Sequence, residues 1–242
     1  MSTKEHYDNH LANIYSWMAG DFNSKVREFV ELLDKSSIDP TSSKTALDLG
    51  AGHGIQSVAL AKKGFEVTAI DFNQELLEEL KQNSTDLAVN PIIGDILDTN
   101  LYADLNPEVI TCCGDTLLHV NSKNEVANLI ANCAEILRPT GKMILSFRDY
   151  SLAISGDQFF IPVKSDSNRI LTCILNYEKD KVKVTDLIHE KNNNEWTQKV
   201  SSYYKIIIAP KEVERLLLDK NKKIILNESK NGMTTIVTTK IN

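Results

Sequence analysis

The sequence has few cysteines and no long apolar run. Its four cysteines form no CxxC pair and no Cys/His cluster with metal-ligand spacing, which argues against a zinc-ribbon protein or a disulfide framework. No run of about 18 apolar residues is present, and residues 1–6 lack the apolar core of a signal peptide. These absences predict a cytoplasmic protein with free thiols, no resident metal ion and no membrane partner.

The sequence also has no excess of positively charged residues. The 242 residues contain 27 Lys and Arg against 33 Asp and Glu, which gives a net charge of −6. Proteins that act on nucleic acid usually present a basic surface, so a nucleic-acid partner is disfavoured. Hydrophobic residues make up 42% of the chain, which is enough to bury a core without disulfides.

Strand and helix patterns alternate in the first 150 residues, after a helical segment at residues 5–35. Short, mostly apolar runs separated by helical patterns occupy residues 45–49, 67–70, 91–95, 109–113 and 142–147. Such strands indicate a parallel sheet that helices cover on both faces. Four further strand patterns follow residue 150 and predict a small antiparallel sheet.

We therefore expect an α/β protein with a doubly wound, mostly parallel seven-stranded sheet and an antiparallel β lid after the fifth strand. Residues 1–150 would form the core with an N-terminal helical cover, and residues 151–208 the lid. Residues 209–242 would add a helix and a hairpin, turning at Asn231-Gly232, that completes the core sheet.

A glycine-rich turn follows the first predicted strand. Asp48 precedes the run Gly50-Ala51-Gly52-His53-Gly54, and Asp71 ends the second strand. Glycines let a ligand approach the backbone closely, and an acid at the second strand end can accept both hydroxyls of a ribose. The spacing is G-x-G-x-G, and Asp48 would repel a pyrophosphate, so a nicotinamide-dependent oxidoreductase is disfavoured. Asp48 suits a ligand that carries an amino group.

With Gly94-Asp95 at the third strand end, this pattern resembles the class I S-adenosylmethionine-dependent methyltransferase family over residues 45–150. The resemblance implies S-adenosylmethionine as the cofactor and S-adenosylhomocysteine as its product. Asp71 would hold the ribose and Asp95 the adenine amino group. The other cofactor-binding residues implied are Asp48, Gly50, Ala51, Gly52, Phe72, Ile96, Cys113 and Gly114.

A narrower resemblance is to the glycine and sarcosine N-methyltransferase group. It is carried by four short segments, at Tyr15–Asp21, Cys113–His119, Phe147–Tyr150 and Lys164–Asp166 with Ser202–Tyr204. It implies that Arg148 binds an acceptor carboxylate, for which a guanidinium is suited. It also implies that Tyr15 covers the cofactor and that Lys25 pairs with the cofactor carboxylate. The acceptor would be surrounded by His119, Asp115 and Tyr203.

Two positions depart from that group. Asp115 replaces an asparagine beside the acceptor, and Val163 replaces a tyrosine. A carboxylate at residue 115 would repel an acidic acceptor but would hold an amine. With Phe159 and Phe160 nearby, these changes favour an acceptor larger than glycine.

The predicted reaction is methyl transfer to a small-molecule acceptor, an amine or amino-acid-like nitrogen, with His119 or Asp115 taking the proton. O-methylation of a carboxylate-bearing small molecule stays open. So does a non-catalytic sensor that binds S-adenosylmethionine or its product. Transfer to RNA is disfavoured by the charge, and a homo-oligomer is compatible with the resemblance.

Overall fold

The fold of the chain is seen in a computed structural model, which describes residues 1–154 and 156–241. Its strands, in chain order, are β1 (Thr45–Leu49), β2 (Glu66–Asp71), β3 (Val89–Ile93), β4 (Val109–Cys112), β5 (Lys142–Arg148), β6 (Phe160–Ser165), β7 (Arg169–Tyr177), β8 (Lys181–Asn192), β9 (Glu195–Ile206), β10 (Lys222–Lys230) and β11 (Met233–Lys240). Seven of these strands form one sheet in the order β10-β11-β5-β4-β1-β2-β3, and the other four form a second sheet. The expected architecture is confirmed.

Strands β1 to β5 run parallel to one another, whereas β11 pairs antiparallel with both β5 and β10. The helices are α1 (Thr3–His6), α2 (Ala12–Ala19), α3 (Phe22–Lys35), α4 (Ile55–Lys62), α5 (Gln74–Asn83), α6 (Lys123–Ile136) and α7 (Pro210–Leu218), with a π-helical turn at Tyr7–Leu11 between α1 and α2. Short 3-10 turns lie at Thr99–Leu101, Thr116–Leu118 and Gly156–Phe159. None of the helices in the described part of the chain is long and apolar enough to span a bilayer.

The predicted helix starts depend on side-chain caps. The Asn73 side-chain oxygen accepts a hydrogen bond from the Leu76 N–H at 2.9 Å and begins α5. Ser122 caps α6 by accepting from the Glu125 N–H at 3.2 Å. The Glu125 carboxylate reaches back to the Asn121 N–H at 2.7 Å, one residue before the expected capping-box partner.

The main sheet is covered on both faces, as its apolar strands predict. Neighbouring Cys112 and Cys113 illustrate this, because they contribute to two different core clusters. Cys112 shares one cluster with Leu145, and Cys113 shares the other with Ile144. Adjacent residues of a strand point to opposite faces, so both faces of β4 and β5 must be buried. All four cysteines are free thiols.

The second sheet follows β5 in the chain and has the order β6-β7-β8-β9. Alternate residues of β8 and β9, including Val182, Val184 and Tyr203, are buried beneath it, while Val200 on the opposite face is exposed. Helix α2 contacts its edge, where the Trp17 indole N–H donates to Asp166 at 2.6 Å. The division into parts at residues 150 and 208 stays a prediction.

Candidate active site

A cavity of about 440 Å³ lies at the carboxyl ends of the parallel strands, a size that suits one drug-sized ligand. The loops after β1, β2, β3 and β4 form its floor and walls. The N-terminal segment Ser2–Tyr7 forms part of the opposite side, together with Tyr15 of α2. Nine of the cofactor-binding and catalytic residues predicted from the sequence line this cavity: Tyr15, Gly50, Gly52, Asp71, Phe72, Asp95, Ile96, Gly114 and His119.

Two positions in the turn after β1, Gly50 and Gly52, require glycine. Gly50 has φ +72°, and a Cβ there would lie 2.3 Å from the Thr116 side chain. Gly52 has φ +53°, and its Cβ position faces the cavity beside Tyr15, 3.8 Å away. Left-handed backbone favours glycine at both sites. The turn therefore exposes backbone to the cavity, where a ligand can approach it.

Asp71 joins this turn to the end of β2. Its carboxylate accepts hydrogen bonds from the Gly52 N–H at 2.8 Å and the Asn73 N–H at 2.9 Å. Burial raises the pKa of Asp71, and the two backbone hydrogen bonds oppose that effect. A carboxylate has about four lone-pair sites, so two remain for donors from the cavity.

Asp48 lies beneath the glycine turn and does not line the cavity. Its carboxylate accepts from the Ser57 hydroxyl at 2.6 Å and the Thr111 hydroxyl at 2.7 Å. Burial raises the pKa of Asp48 to about 6 although these hydrogen bonds oppose the shift. The expectation that Asp48 faces the ligand is not met in this geometry. It connects α4 to β1 and β4 instead.

The far wall of the cavity carries Phe72, Asp95 and Ile96. The Phe72 ring makes an edge contact with the Tyr7 ring, with centroids 5.5 Å apart. Asp95 is exposed and accepts from the Leu97 N–H at 2.9 Å. Ile96 is buried, and its carbonyl accepts from the Tyr102 hydroxyl at 2.9 Å.

His119 marks the opposite end of the cavity. Its ring contacts the Tyr7 ring at 5.7 Å and the Tyr203 ring at 5.8 Å, both edge to face. Within the described residues, the Nε2 atom of His119 is buried and has no hydrogen-bond partner. Burial, followed by the positive charge of Lys205, lowers the pKa of His119 to about 3. The imidazole is therefore neutral.

Lys205 is a buried residue that the sequence reasoning missed. Its Nζ lies 2.7 Å from Asp115 Oδ2, while Asp115 Oδ1 accepts from the Arg148 backbone N–H at 2.6 Å. The ammonium also lies 5.6 Å from the centroids of the Tyr150 and Tyr203 rings. Asp115 was expected to hold an acceptor amine, but in the structure it holds this lysine. Period-two alternation along β9 was the available signal, since Ser201, Tyr203 and Lys205 share the inner face.

His6 is a second buried residue that the sequence reasoning missed, and no local pattern indicated it. Its ring bonds Asp186 at 3.0 Å and Ser201 at 2.7 Å, and it stacks on Tyr203 with centroids 4.2 Å apart. These contacts fasten α1 to the inner face of the lid.

Several residues expected at the site lie elsewhere. Lys25 is on the exposed face of α3 and pairs with Glu28 at 2.9 Å. The Arg148 guanidinium is exposed and lies by the closing hairpin, where Nη1 approaches the Asn231 carbonyl at 3.5 Å. Ala51 and Cys113 are buried behind the cavity wall, and Tyr203 lies behind His119. The structure therefore brings neither Lys25 nor Arg148 to the cavity. In the ranges 1–154 and 156–241, no three His, Cys, Asp or Glu residues are grouped to hold a metal.

Comparison with known proteins agrees with this arrangement. Residues 46–141 match the family model described as a methyltransferase domain. The cypemycin N-terminal methyltransferase of Streptomyces sp is 33% identical over 47% of this chain and 46% of its own length. A ubiquinone biosynthesis O-methyltransferase of Coxiella burnetii is 32% identical over 48% of this chain and 50% of its own.

The narrower resemblance has weaker support. The glycine/sarcosine N-methyltransferase of Aphanothece halophytica is 25% identical over 46% of this chain and 43% of its own length. The chain thus spans about half the length of the curated relatives it matches. The similarity is thus to methyltransferases of several kinds and not to this one group alone.

Solved structures resemble the chain over nearly its whole length. A methyltransferase of Clostridium acetobutylicum has a TM-score of 0.73 at 17% identity and covers 98% of this chain and 97% of its own. The CcbJ methyltransferase of Streptomyces caelestis has a TM-score of 0.79 at 14% identity, covering 98% of both chains. CalS10, an amino pentose methyltransferase from Micromonospora echinaspora, has a TM-score of 0.74 at 13% identity, covering 93% of this chain and 94% of its own. Residues 46–141 therefore match the methyltransferase domain model, within a chain that has the Rossmann-like fold of these methyltransferases.

Proposed function

We propose that the chain transfers a methyl group from S-adenosylmethionine to a small-molecule acceptor. The observation that carries this proposal is the single cavity in which Gly52, Asp71 and His119 meet at the carboxyl ends of the parallel strands. Ligands of doubly wound sheets bind at this edge. The match of residues 46–141 to a methyltransferase domain adds to the argument.

The residues present fit the cofactor. Gly52 and Gly114 line the cavity with positive φ, and no atom lies within 4 Å of a Cβ position at Gly114, so a ligand can lie against the backbone there. The free lone pairs of Asp71 would accept the two ribose hydroxyls. Phe72 would pack on the adenine, and Asp95 would accept from its amino group. S-adenosylmethionine would supply a methyl group bonded to a positively charged sulfur.

The chain's own residues would mainly hold the acceptor in place. The methyl group would pass to the lone pair of the acceptor, and sulfur would keep the electron pair of the carbon–sulfur bond. The His119 ring would contact the acceptor at the cavity wall, and the acceptor proton would pass to solvent, because an imidazole with a pKa of about 3 is a weak base. Positioning contributes most when the leaving group is already good.

An amine acceptor is favoured over an oxygen acceptor. Both types are represented in the relatives' names, which include an N-terminal methyltransferase and an O-methyltransferase. Among the similar folds, CalS10 is an amino pentose methyltransferase. No arginine lines the cavity in the described part of the chain, because Arg148 points toward the hairpin turn, and Lys4 is the lysine that lines it. We therefore favour an amine on a small molecule as the acceptor.

Calorimetry tests the cofactor assignment. S-adenosylhomocysteine should bind the wild-type protein, and NAD should not. Asp71→Ala should weaken S-adenosylhomocysteine binding about tenfold or more, because each lost hydrogen bond to a charged group costs about 1.5–3 kcal/mol. Asp104→Ala, a change of an exposed aspartate outside the cavity, is the matched control and should leave binding unchanged. Binding of NAD without S-adenosylhomocysteine would contradict the proposal.

Turnover separates an enzyme from a sensor. Formation of S-adenosylhomocysteine should be measured on a panel of amines, amino acids and phenols. His119→Gln should lower kcat about 10²-fold through loss of positioning, while S-adenosylhomocysteine affinity changes little. Tight cofactor binding with no turnover on any acceptor would favour the sensor alternative.

A further inference from the structure

Two acids that the sequence offered for a positively charged ligand are engaged elsewhere in the structure. Asp48 accepts from two hydroxyls beneath the glycine turn, and Asp115 pairs with a lysine of the lid at 2.7 Å. Among the described residues, the acids that line the cavity are Asp71, at the end of β2, and Asp95, after β3. The loop after β4, which carries His119, therefore offers no free carboxylate to a cation.

Aromatic rings line this part of the cavity instead, namely those of Tyr7, Tyr15 and His119. Tyr7 is central, because its ring centroid lies 5.7 Å from that of His119, 6.1 Å from that of Tyr15 and 5.5 Å from that of Phe72. The Tyr15 ring lies 3.8 Å from the position that a Cβ would take at Gly52. The rings thus extend from the glycine turn to the loop after β4.

Tyr7 reaches the cavity from the first position of the π-helical turn between α1 and α2. Its neighbour His6 is fully buried and bonds Asp186 of the lid at 3.0 Å. The Tyr7 ring keeps part of its surface exposed and lines the cavity. Turns of this kind are rare and are frequent at functional sites. The lid contact of His6 therefore fixes the backbone that presents Tyr7.

Aromatic rings attract cations. The face of a ring carries a negative potential, which acts on a cation within about 6 Å of the centroid and acts more strongly where water is excluded. With the adenine at Asp95 and the ribose at Asp71, the sulfur would lie toward Gly114, where a Cβ would meet no atom within 4 Å. The lysine that lines the cavity, Lys4, is paired with Asp8 at 2.5 Å.

We propose that Tyr7, together with Tyr15, binds the positively charged sulfur of S-adenosylmethionine through its ring and so distinguishes the methyl donor from its neutral product. This inference rests on the proposed function and adds to it a residue that determines specificity. Once the methyl group has left, the sulfur is neutral and the rings no longer attract it. Fresh donor therefore displaces the product readily.

Calorimetry without an acceptor measures this preference. The wild type should bind S-adenosylmethionine about 10–30-fold more tightly than S-adenosylhomocysteine. Tyr7→Leu removes the ring and should lower that ratio about 3- to 10-fold, whereas Tyr7→Phe keeps a ring and should retain it. Sinefungin, which carries a protonated amine in place of the methylated sulfur, should follow S-adenosylmethionine. Tyr204→Leu, a change of an exposed ring on the outer face of β9, should leave both affinities unchanged.

The position of the sulfur can be observed directly with S-adenosylmethionine labelled with ¹³C at its methyl group. Ring faces shift the resonance of a nearby methyl group upfield. In complex with the wild type, the methyl resonance should therefore lie upfield of its position in free cofactor, and in Tyr7→Leu it should move back toward that position. A bound methyl resonance at the free position in the wild type would overturn the inference.

The ratio of affinities separates charge recognition from packing. If the Tyr7 ring only packs, Tyr7→Leu will weaken both ligands by the same factor, and the unchanged ratio will overturn the inference while methyl transfer stands. Equal wild-type affinities for the donor and the product would also overturn it. If Tyr7→Leu does not fold, Tyr15→Leu replaces it in the same comparison. Binding of neither ligand would contradict the proposed function and this inference with it.

Discussion

At the scale of single residues, burial sets the charge of the groups around the cavity. Asp48 and His119 show the two directions of this effect. Burial disfavours the charged form of each, so the pKa of Asp48 rises to about 6 and that of His119 falls to about 3. The local sequence around these residues would not distinguish them from exposed ones, because the cause is the surrounding fold.

The lowered pKa of His119 predicts a pH dependence of stability. An unfolded histidine has a pKa of about 6.5, so the unfolded chain binds more protons than the folded one between pH 6.5 and about 3. The free energy of unfolding should therefore decrease as the pH is lowered from 6.5 to about 3, by up to about 1.4 kcal/mol per pH unit from this residue. His119→Gln should make the decline less steep. Burial also lowers the pKa values of His10 and His53, so part of the slope should remain.

Urea unfolding at pH 7 and pH 5 checks this prediction. His189→Gln, on the outer face of the lid, is the matched control. If His119→Gln and the wild type lose the same free energy of unfolding between the two pH values, the imidazole is not held neutral in the folded protein.

At the scale of elements, one carboxylate organises the loop that leads into β1. Glu108, just before β4, accepts hydrogen bonds from the backbone N–H groups of Thr41 at 2.7 Å, Ser42 at 2.8 Å and Lys44 at 2.7 Å. Burial would raise the pKa of Glu108, but these hydrogen bonds and that from the Thr41 hydroxyl outweigh it and lower the pKa to about 2. The loop that leads into β1, the strand before the glycine turn, is thus held against the start of β4.

Glu108→Gln should destabilise the protein at neutral pH. The folded pKa is below the unfolded value, so this carboxylate contributes stability above about pH 4.5 that is lost as the pH falls toward 2. A difference of about two pKa units corresponds to roughly 3 kcal/mol. Thermal or urea unfolding at pH 7 measures it, with the exposed Glu66→Gln as control. Equal losses in the two variants would show that the loop contacts are not stabilising.

The N-terminal helices contact both the cavity and the lid. The N-terminal segment supplies Ser2, Thr3, Lys4 and Tyr7 to the cavity, and α1 contacts the lid through His6. Helix α2 adds the Trp17 contact with Asp166. Their amphipathic pattern was readable in the sequence, and the narrower resemblance implied that Tyr15 covers the cofactor, but the contact of His6 with the lid was not predicted.

At the scale of the whole molecule, ligand binding should tighten the N-terminal segment. The cavity is lined both by the core loops and by residues 2–7, so a ligand in it contacts both parts. Binding of S-adenosylhomocysteine at about 100 times its Kd should add about 2.7 kcal/mol to the free energy of unfolding. Amide hydrogen exchange of residues 3–19 should slow more than that of the β10–β11 hairpin. Equal protection of both regions would contradict this arrangement of the cavity.

The elements of this fold could largely be predicted from the sequence, because they depend on near neighbours. Short apolar runs identified the core strands, and Asn73 and Ser122 marked helix starts through caps that span three residues. The glycine turn and Asp71 identified the ligand edge, since a parallel sheet brings its strand ends together.

The acceptor end of the site was decided by the tertiary structure alone. Lys205 and Asp115 are 90 residues apart in the chain, and His6 and Asp186 are 180 apart. Which side chains meet there depends on how the lid packs on the core, and no local pattern contains that information. Arg148 shows the same limit. Its side chain at the end of β5 lies on the side of Asn231 and not on the side of the cavity, and the sequence did not reveal which side it would take. The sequence by itself thus determined the strands, the caps and the glycine turn, whereas the charge and partners of the buried groups followed from burial between distant segments.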